Sequence, residues 1–368
     1  MERKLASIQR IIALNPIKDA DKIEVATVLG WQVVVLKHQF KVGDLCVYVE
    51  IDSILPDRPE FEFMRERKFR VRTIKLKGQV SQGICFSMGI LRNINGYREG
   101  SDVTETLGIR KYDPQAEFER KETERLANVH RNRMSKFLGR YAWYRKLIFK
   151  PSRVPFPSFI KKTDEERIQN IPNYYEKWKD LTFDITEKID GQSATYFVVP
   201  NPKRGLFQSK WLFGVCSRNF QLLKPDKSSY WTIAKQYDLK KKMTAYCKQW
   251  KTGLIIQGEI LGNKIQANKY KINGYDFYLF NAGHYHKGRL DSFNQPYQTS
   301  IAWILGIRTV PLLESEIFLL PIVESMVEFA KGTSRLGEIQ REGIVIRNYK
   351  ENISFKIINP DFLLKYQE

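Results

Sequence analysis

The chain has 368 residues, of which 42% are hydrophobic and 13% aromatic, so it is long enough for two globular domains and is neither fibrous nor disordered. Its 61 Lys and Arg exceed its 41 Asp and Glu and leave a formal net charge of +20. Because Lys and Arg contacts to phosphates dominate nucleic-acid binding, this excess favours nucleic acid as a partner over an anionic membrane surface.

The cysteines and histidines argue against a structural zinc site. Cys46, Cys85, Cys216 and Cys247 are scattered without a Cys-x-x-Cys pair, and the chain has only four His. We expect reduced thiols in a soluble cytoplasmic or nuclear protein, since the chain shows neither a signal peptide nor an apolar run of about 18 residues that could span a membrane.

Residues 1 to 115 contain short β-branched or aromatic runs separated by turn signals such as Asn15-Pro16. Short strands at this spacing are typical of a small closed β-barrel. The predicted strands are 4–14, 23–28, 31–36, 45–51, 69–76 and 83–88.

Two stretches of this segment, 19–25 and 75–83, resemble the OB-fold tRNA-binding modules appended to some aminoacyl-tRNA synthetases. The resemblance implies an RNA-binding module with a basic groove, where Phe69 is available for base stacking. A solvated strand and loop would show the same composition, so both interpretations stay open. The predicted RNA-binding side chains of the groove are Arg67, Arg70, Arg72, Lys75 and Lys77.

Residues 116 to 165 are predicted to form a basic helical linker that several prolines interrupt near its end. Aromatic residues recur among its basic residues at helical spacing, as in a helix that buries one side on a neighbouring domain. Its cationic side offers Arg133, Lys136 and Arg140 as further contacts to RNA phosphates.

Residues 166 to 368 predict a mixed α+β domain, in which strand-like runs are interrupted by helical stretches at 231–250 and 321–331. The predicted strands are 183–188, 194–199, 213–216, 254–260, 276–280, 343–347 and 353–358.

One short pattern in this domain points to chemistry: Lys188-Ile189-Asp190-Gly191. Lys188 ends an apolar strand and Asp190-Gly191 predicts a turn, so an amine is presented at a strand end. Three fixed residues alone are weak evidence. Their weight rises because further motif-like stretches follow in order, at 216–219, 257–260, 277–280, 341–347 and 354–356.

The order and spacing of these stretches resemble the covalent nucleotidyltransferase superfamily of ATP-dependent ligases and mRNA capping enzymes. Residues 163–170 resemble the lead-in of RNA ligases, and residues 258–266 resemble their third motif. An OB module ahead of the catalytic domain is similar to one ATP-dependent RNA ligase family. The resemblance implies an α+β fold, with an ATP-grasp-like nucleotidyltransferase domain of antiparallel sheets and helices behind an OB-fold β-barrel.

The resemblance implies that Lys188 attacks the α-phosphate of ATP and becomes lysyl-AMP. Only the free amine is nucleophilic, so burial, nearby cations or a metal ion must lower the pKa of this lysine. Arg167 is implied to reach the ATP phosphates, Arg218 the ribose or a phosphate, and Lys356 the α-phosphate. Without the resemblance, Arg218 would be a surface cation.

Carboxylates are implied to serve the ribose and the metal. Glu259 and Glu342 would hold the ribose and a hydrated Mg²⁺ or Mn²⁺, mostly through water, with Asp190 supporting the metal's waters and Gly191 beside the nucleotide. Without the resemblance, both glutamates would be solvated carboxylates at strand ends.

The adenine is implied to lie between an aromatic ring and an aliphatic side chain. Phe277 and Phe280 fall on opposite faces of one predicted strand, so only one of them can be the stacking ring. Ile344 would pack on the other face of the base. The two phenylalanines would otherwise be ordinary core residues.

The last motif departs from the superfamily pattern, which usually has two lysines two residues apart. Lys356 has Ser354 and Ile358 at those distances. A second phosphate-binding cation is therefore not evident there, although Lys350 or Lys365 could replace it.

The implied reaction is ATP-dependent joining of 3′-OH and 5′-phosphate RNA ends, with a nicked duplex or RNA/DNA hybrid preferred, by an enzyme expected to be a monomer. An ATP-dependent DNA ligase and a GTP-using capping enzyme are alternatives, but both normally place an OB domain after the catalytic domain. A non-catalytic RNA- or tRNA-binding protein is a third alternative, which intact Lys188, Glu259 and Glu342 disfavour.

Overall fold

The computed structural model describes residues 4–91, 96–113, 153–202, 209–223, 225–286 and 289–366. Within these ranges the N-terminal module consists of short strands, two 3-10 turns and one helical turn. Its elements are β1 (Ala6–Pro16), β2 (Ile23–Val28), β3 (Trp31–Leu36), β4 (Leu45–Val49), β5 (Ser53–Ile54), 3-10 turns at Pro59–Arg67 and Met88–Ile90, β6 (Thr73–Leu76), β7 (Gln79–Gln82), β8 (Ile84–Ser87), α1 (Thr104–Leu107) and β9 (Arg110–Lys111).

A curled antiparallel sheet, in the order β3-β2-β1-β4-β8, forms the N-terminal module. Trp31, Val33 and Val35 are buried because one face of β3 packs on the core with Tyr48. The curl brings β3 close to β8, but no ladder joins these two edges in the described residues. The module is therefore an OB-like half-barrel, whereas the sequence predicted a closed one.

A β-hairpin beside this sheet replaces the single strand predicted at 69–76. β6 and β7 pair antiparallel with Leu76 opposite Gln79, so Lys77 and Gly78 form a two-residue turn. Both turn residues have positive φ, 47° and 82°, as a type I′ turn requires. The turn presents the exposed side chain of Lys77 at the tip of the hairpin.

The remainder of the described chain is a mixed α+β unit built on two sheets. No described helix is both long and apolar enough to cross a membrane. The elements are β10 (Arg153–Pro155), β11 (Glu166–Arg167), α2 (Tyr174–Trp178), β12 (Phe183–Lys188), β13 (Gln192–Pro200), β14 (Trp211–Cys216), β15 (Phe220–Leu222), α3 (Ser229–Gln236), α4 (Leu239–Trp250), β16 (Gly253–Gly262), β17 (Tyr275–His286), β18 (Arg289–Ser292), α5 (Gln295–Leu305), β19 (Arg308–Thr309), β20 (Leu312–Ile317), α6 (Val323–Ala330), β21 (Gly343–Asn348), β22 (Ile353–Ile358) and α7 (Pro360–Tyr366), with 3-10 turns at Ile168–Asn170 and Gln266–Asn268.

The larger sheet has the order β10-β15-β14-β13-β16-β17-β18, with β19 beside β17. Tyr196, Ile256 and Phe277 belong to the core between one face of this sheet and α3, α4 and α5. The smaller sheet has the order β11-β22-β21-β12-β20. Phe183 and Phe355 lie in its core, on the side that α2 and α6 cover. The helices leave the opposite face of each sheet uncovered, and residues 156–160 pack on part of that face of the larger sheet.

The boundary predicted at residue 165 lies inside this unit. β10 pairs with β15 at the edge of the larger sheet, and Ile160 is buried against Phe197 of β13. Residues 153–165, predicted as linker, therefore pack as part of the sheet domain. The rest of the predicted linker, including Arg133, Lys136 and Arg140, lies outside the described residues.

The two modules are joined by polar contacts around the 3-10 turn Ile168–Asn170. Trp31 Nε1 donates to Asn170 Oδ1 at 2.6 Å, and Asn170 Nδ2 donates to Glu50 Oε1 at 2.6 Å. Gly30 N donates to Gln169 O at 3.0 Å, and a Cβ on Gly30 would lie 3.0 Å from the Gln169 backbone. The glycine thus permits a backbone approach that a side chain would hinder.

Candidate active site

Strand pairing places Lys188 beside Glu342. β12 runs antiparallel to β21 with Lys188 opposite Gly343, so the residue before Gly343 reaches the end of β12. Lys188 Nζ lies 2.7 Å from Glu342 Oε1 and 2.6 Å from Oε2. The side chains of Lys188 and Glu342 are 27% and 14% exposed. The predicted nucleophile is therefore held in a largely buried ion pair.

This pairing sets the protonation state of the lysine. Burial alone would lower the pKa of Lys188, but the adjacent Glu342 carboxylate outweighs it and raises that pKa above its ordinary value. Lys188 is therefore an ammonium group in the free protein. Nucleophilic attack requires it to leave Glu342 and to lose a proton.

Glu259 completes an acidic group around Lys188. It lies in the middle of β16, opposite Ser193 of β13, with its side chain on the open face of the larger sheet. Burial raises the pKa of Glu259 to about 8, and the nearby Glu342 carboxylate adds to the effect against the opposing charge of Lys188. A buried carboxylate of this kind favours the arrival of a cation.

Asp190 is held by a pair of residues that the sequence did not point to. Its carboxylate contacts Lys269 Nζ, and its backbone N donates to the Tyr270 hydroxyl at 2.9 Å. Lys269 in turn lies over the rings of Phe362 and Tyr366 in α7, at 5.2 and 5.4 Å from their centroids. The turn after Lys188 is thus tied to the C-terminal helix.

The following glycine is explained by a close backbone approach. A Cβ at Gly191 would lie 2.7 Å from Ile260 O and 2.8 Å from Leu261 Cδ2. A larger residue here would push the turn away from β16 and disturb the distance between Lys188 and Glu259.

The carboxylates fit a hydrated divalent cation. Asp190, Glu259 and Glu342 supply the hard oxygen donors that Mg²⁺ and Mn²⁺ prefer. Among the described residues no three acidic, His or Cys side chains form a ready-made cage. Mg²⁺ usually keeps several of its waters, and an ion held by these residues mostly through water stays a prediction.

A cavity of about 260 Å³ lies between the open faces of the two sheets and is closed on one side by the N-terminal module. Thr186, Lys188, Val345, Arg347, Lys356 and Ile358 line it from the smaller sheet, Ser193, Glu259 and Phe280 from the larger one, and Asp52, Lys111 and Tyr112 from the N-terminal module. A second cavity of about 590 Å³ shares the wall formed by Lys111, Asp164 and Arg218.

The structure separates the two predicted stacking rings. Phe280 lines the cavity, with the Arg347 guanidinium 5.8 Å from its ring centroid. Phe277 is fully buried on the other face of the sheet, where it packs edge-on against Tyr196. Phe277 therefore cannot contact a nucleotide in the cavity.

The predicted adenine contact of Ile344 is wrong, because this side chain is buried in the core. Ile344 and Ile346 point into the core of the smaller sheet, whereas Val345 and Arg347 line the cavity. Successive side chains of a strand point to opposite faces, and a motif alone does not say which face borders the site. Val345, and not Ile344, therefore borders the cavity.

Arg167 lies at the cavity wall but is already engaged. β11 runs parallel to β22 with Arg167 beside Lys356. The Arg167 side chain is buried, with Nη2 2.7 Å from Asp52 Oδ2 and the guanidinium 5.5 Å from the Trp31 ring centroid. This arginine ties the N-terminal module to the cavity, and its predicted contact to ATP phosphates stays a prediction.

A cationic cluster, formed by Lys111, Arg218 and Lys356, surrounds Asp164. Lys356 Nζ donates to Asp164 Oδ1 at 3.0 Å, Arg218 Nη2 lies 3.6 Å from Oδ2, and Lys111 Nζ contacts Oδ2. Burial works to raise the pKa of Asp164, but Lys356 and Lys111 outweigh it and hold that pKa well below its usual range. This end of the cavity suits an anionic ligand.

The sequence identified only part of this cluster. Arg218 and Lys356 belong to predicted motifs, and Asp164 lies in the lead-in stretch, but no signal marked Lys111. It lies in β9, the last described strand of the N-terminal module, and only the packing of the two modules brings it to the cavity.

The predicted RNA-binding residues of the N-terminal module divide into two groups. Arg67, Lys75 and Lys77 are exposed and remain available to a phosphate backbone, and Arg72 is partly exposed. Arg70 is buried, with its guanidinium 3.5 Å from the Tyr112 ring centroid. The prediction for Arg70 is therefore wrong, because this side chain is sequestered on an aromatic ring within the module.

Comparison with known proteins matches both parts of the chain. An RNA ligase family model matches residues 181–366, which is more than half of the chain, and an OB-fold domain model matches residues 5–88. A comparison with curated proteins found no match.

Solved structures of Naegleria gruberi RNA ligase are similar over the whole chain. The structure with PPi has a TM-score of 0.78 at 30% identity and covers 100% of this chain and 99% of that chain. One variant with AMP and Mn has a TM-score of 0.79 at 29% identity, covering 99% of both chains. Another, with ATP and Mn, has 0.77 at 29% identity, covering 100% of both. The chain belongs to the RNA ligase family.

Proposed function

We propose that this RNA ligase is ATP-dependent and forms a covalent lysyl-AMP on Lys188. The observation that carries the proposal is a buried lysine at a strand end, paired with Glu342 and facing Glu259 in a cavity that also holds a cationic cluster. Similarity to Naegleria gruberi RNA ligase, solved with ATP and Mn and with AMP and Mn, supports the nucleotide and the divalent cation.

The first step uses both the carboxyl groups around Lys188 and the cationic cluster around Asp164. Lys188 Nζ, once released from Glu342 and deprotonated, attacks the α-phosphorus, and the bond to the leaving pyrophosphate breaks. Asp190, Glu259 and Glu342 would hold a Mg²⁺ or Mn²⁺ ion, mostly through water, and its positive charge would stabilise the phosphates and favour the free amine. Lys356 offsets the charge that develops on the α-phosphate.

The base and sugar are placed by the walls of the cavity. Phe280 stacks on one face of the adenine and Val345 packs on the other, while Glu259 and Glu342 accept hydrogen bonds from the ribose. Arg218 contacts the ribose or a phosphate at the opening toward the second cavity, and Arg167 stays the candidate for the outer phosphates.

The second and third steps seal RNA. An oxygen of the RNA 5′-phosphate attacks the lysyl-AMP phosphorus and frees Lys188, and the neighbouring 3′-OH then attacks the RNA phosphorus and expels AMP. We propose nicked duplex or RNA/DNA hybrid as the preferred substrate, bound by a monomer. RNA binding near the cavity is supported by the exposed side chains of Arg67, Lys75 and Lys77. The hairpin strand β6 contacts α7, and Leu363 of α7 lines the cavity, so these cations lie on the side of the molecule that borders the site.

The decisive experiment is covalent labelling. The protein is incubated with Mg²⁺ and either α-labelled ATP or GTP, and adducts are resolved on a denaturing gel. We expect a label from ATP that Lys188→Ala abolishes and that Lys179→Ala, at an exposed lysine paired with Glu176, leaves intact. A label from GTP alone, or one that survives Lys188→Ala, would overturn the proposal.

A second assay addresses the substrate. Nicked duplexes with RNA or DNA on each side of the break are compared with single strands of the same sequence. Faster sealing of the duplex with an RNA 3′-OH strand is expected, and its rate should fall steeply with salt because phosphate contacts dominate binding. Sealing of an all-DNA nick at the same rate would instead favour a DNA ligase.

A further inference from the structure

The last motif leaves the cavity with one lysine where the superfamily usually has two. Lys356 and Ile358 lie on the same face of β22 and both line the cavity, so the second position carries an apolar side chain. Ser354 is exposed at the far end of the strand. Neither neighbour of Lys356 can therefore supply a second positive charge to a nucleotide.

Lys111 of the N-terminal module reaches the same place from the opposite wall. Its Nζ contacts Asp164 Oδ2, while Lys356 Nζ lies 3.0 Å from Asp164 Oδ1, so both ammonium groups share one carboxylate. Lys111 lines both cavities. Its side chain is 33% exposed and that of Asp164 is 35%, so a ligand can reach the pair.

The position of Lys111 is determined by the fold. β9 pairs with β5 so that Lys111 lies opposite Ser53, and Tyr112 N donates to Asp52 O at 2.7 Å. Asp52 is the residue that pairs with Arg167 across the module boundary. The contact that joins the modules thus also fixes the strand end from which Lys111 reaches the cavity.

We propose that Lys111 is the second phosphate-binding cation of the adenylylation site, delivered by the N-terminal module in place of the missing lysine of the last motif. The cluster of Lys111, Arg218 and Lys356 faces Asp164, and Arg218 also lies 3.9 Å from Asp113. Three cations converge on the one carboxylate of Asp164, so a polyphosphate can compete with Asp164 for them. The inference rests on the proposed function.

Substitution of Lys111 tests this role. Lys111→Met keeps the length and apolar stem of the side chain and removes the charge. We expect the KM for ATP in lysyl-AMP formation to rise by about 10- to 100-fold, as for loss of one charge-assisted contact. Lys111→Arg should keep most of the affinity. Arg110→Met, at the exposed neighbour in β9, is the matched control.

Two further measurements separate phosphate binding from a merely structural tie between the modules. Sealing of a nick with a pre-adenylylated 5′ end bypasses ATP, so Lys111→Met should slow this reaction far less than it slows lysyl-AMP formation. The double variant Lys111→Met/Ile358→Lys should recover ATP affinity, because the new ammonium group enters the cavity beside Lys356.

The outcomes are distinguishable. Wild-type ATP kinetics in Lys111→Met would overturn the inference, as would an equal loss in labelling and in pre-adenylylated sealing together with a lower melting temperature. If the wild-type protein forms no lysyl-AMP at all, the proposed function itself fails.

Discussion

The two ends of the cavity have opposite charge patterns. At the Lys188 end a single lysine faces the carboxyl groups of Glu259 and Glu342, whereas at the other end Asp164 faces three cations. Burial acts on the carboxyl groups at both ends of the cavity. The two ends therefore differ in whether carboxyl groups or cations are in the majority. At the first end burial raises the pKa of Glu259 and Glu342, so a metal ion that lets them ionise is favoured there, whereas the cations of the second end suit phosphates.

The largest effect is expected from Glu342→Gln. The change removes the partner of Lys188 and a donor for the metal, so lysyl-AMP formation should fall by about 100-fold or more.

In the wild type, the raised pKa of Lys188 means that the free amine becomes more abundant as pH rises, so the labelling rate should increase with pH. Rate measurements across pH with saturating ATP check both points, with Glu176→Gln as control. A pH-independent rate in the wild type would contradict the Lys188–Glu342 assignment.

Lys356→Met examines the cationic end. Losing one phosphate contact should slow lysyl-AMP formation by about 10- to 100-fold, with the loss in kcat if the contact is made mainly in the transition state. Single-turnover labelling over a range of ATP concentrations separates kcat from KM. An unchanged rate, alongside an unchanged Lys179→Met control, would remove Lys356 from the phosphate site.

Phe280→Leu should have a smaller effect, because an aromatic contact contributes about 0.5–1.5 kcal/mol beyond its area. We expect the KM for ATP to rise by about 2- to 10-fold with little change in melting temperature. Phe277→Leu is the matched change in the core and should lower the melting temperature instead. The reverse pattern would mean that the base lies elsewhere.

The smallest effect is a pH-dependent difference in stability between the two ends. Glu259 has a folded pKa of about 8, above its ordinary value of 4.5, so its contribution to stability is lost as pH rises through that window. Asp164 has a depressed pKa, so its contribution is present above its ordinary value of 3.8 and is lost as pH falls.

Melting curves of Glu259→Gln and Asp164→Asn measure this contrast without nucleotide or metal. Relative to wild type, Glu259→Gln should become more stable as pH rises toward about 9, and Asp164→Asn should be destabilising near neutral pH, by about a few °C in each case. Parallel pH profiles for the two variants would show that the ends do not differ as described.

Much of the architecture followed from local patterns. The predicted runs at 23–28, 31–36, 183–188 and 353–358 coincide with β2, β3, β12 and β22, because β-branched runs with clear turn signals are well specified locally. The family assignment and the α+β class with an OB-like module were also confirmed. α5 and the β6–β7 hairpin were missed, since short or weakly periodic segments depend on their packing partners.

The residue assignments that failed were wrong about where a side chain points, not about which residue types to expect. Phe277 and Ile344 have the residue types expected at a nucleotide, but each points to the core face of its strand. Arg70 looked like a groove cation, yet Tyr112 sequesters it. A side chain one position along a strand changes face, and sequence alone does not identify which face is open.

Sequence by itself determined the family of this protein. It also predicted the reactive set: a lysine before an Asp-Gly turn, two glutamates and a late lysine. Tertiary structure alone decided that Glu342 holds Lys188 as an ammonium group, that Phe280 and Val345 border the cavity, and that Lys111 joins Lys356 on Asp164. The physical reason is that charge and burial act through space, so protonation state and ligand affinity depend on neighbours that pairing and module packing bring together from distant parts of the chain.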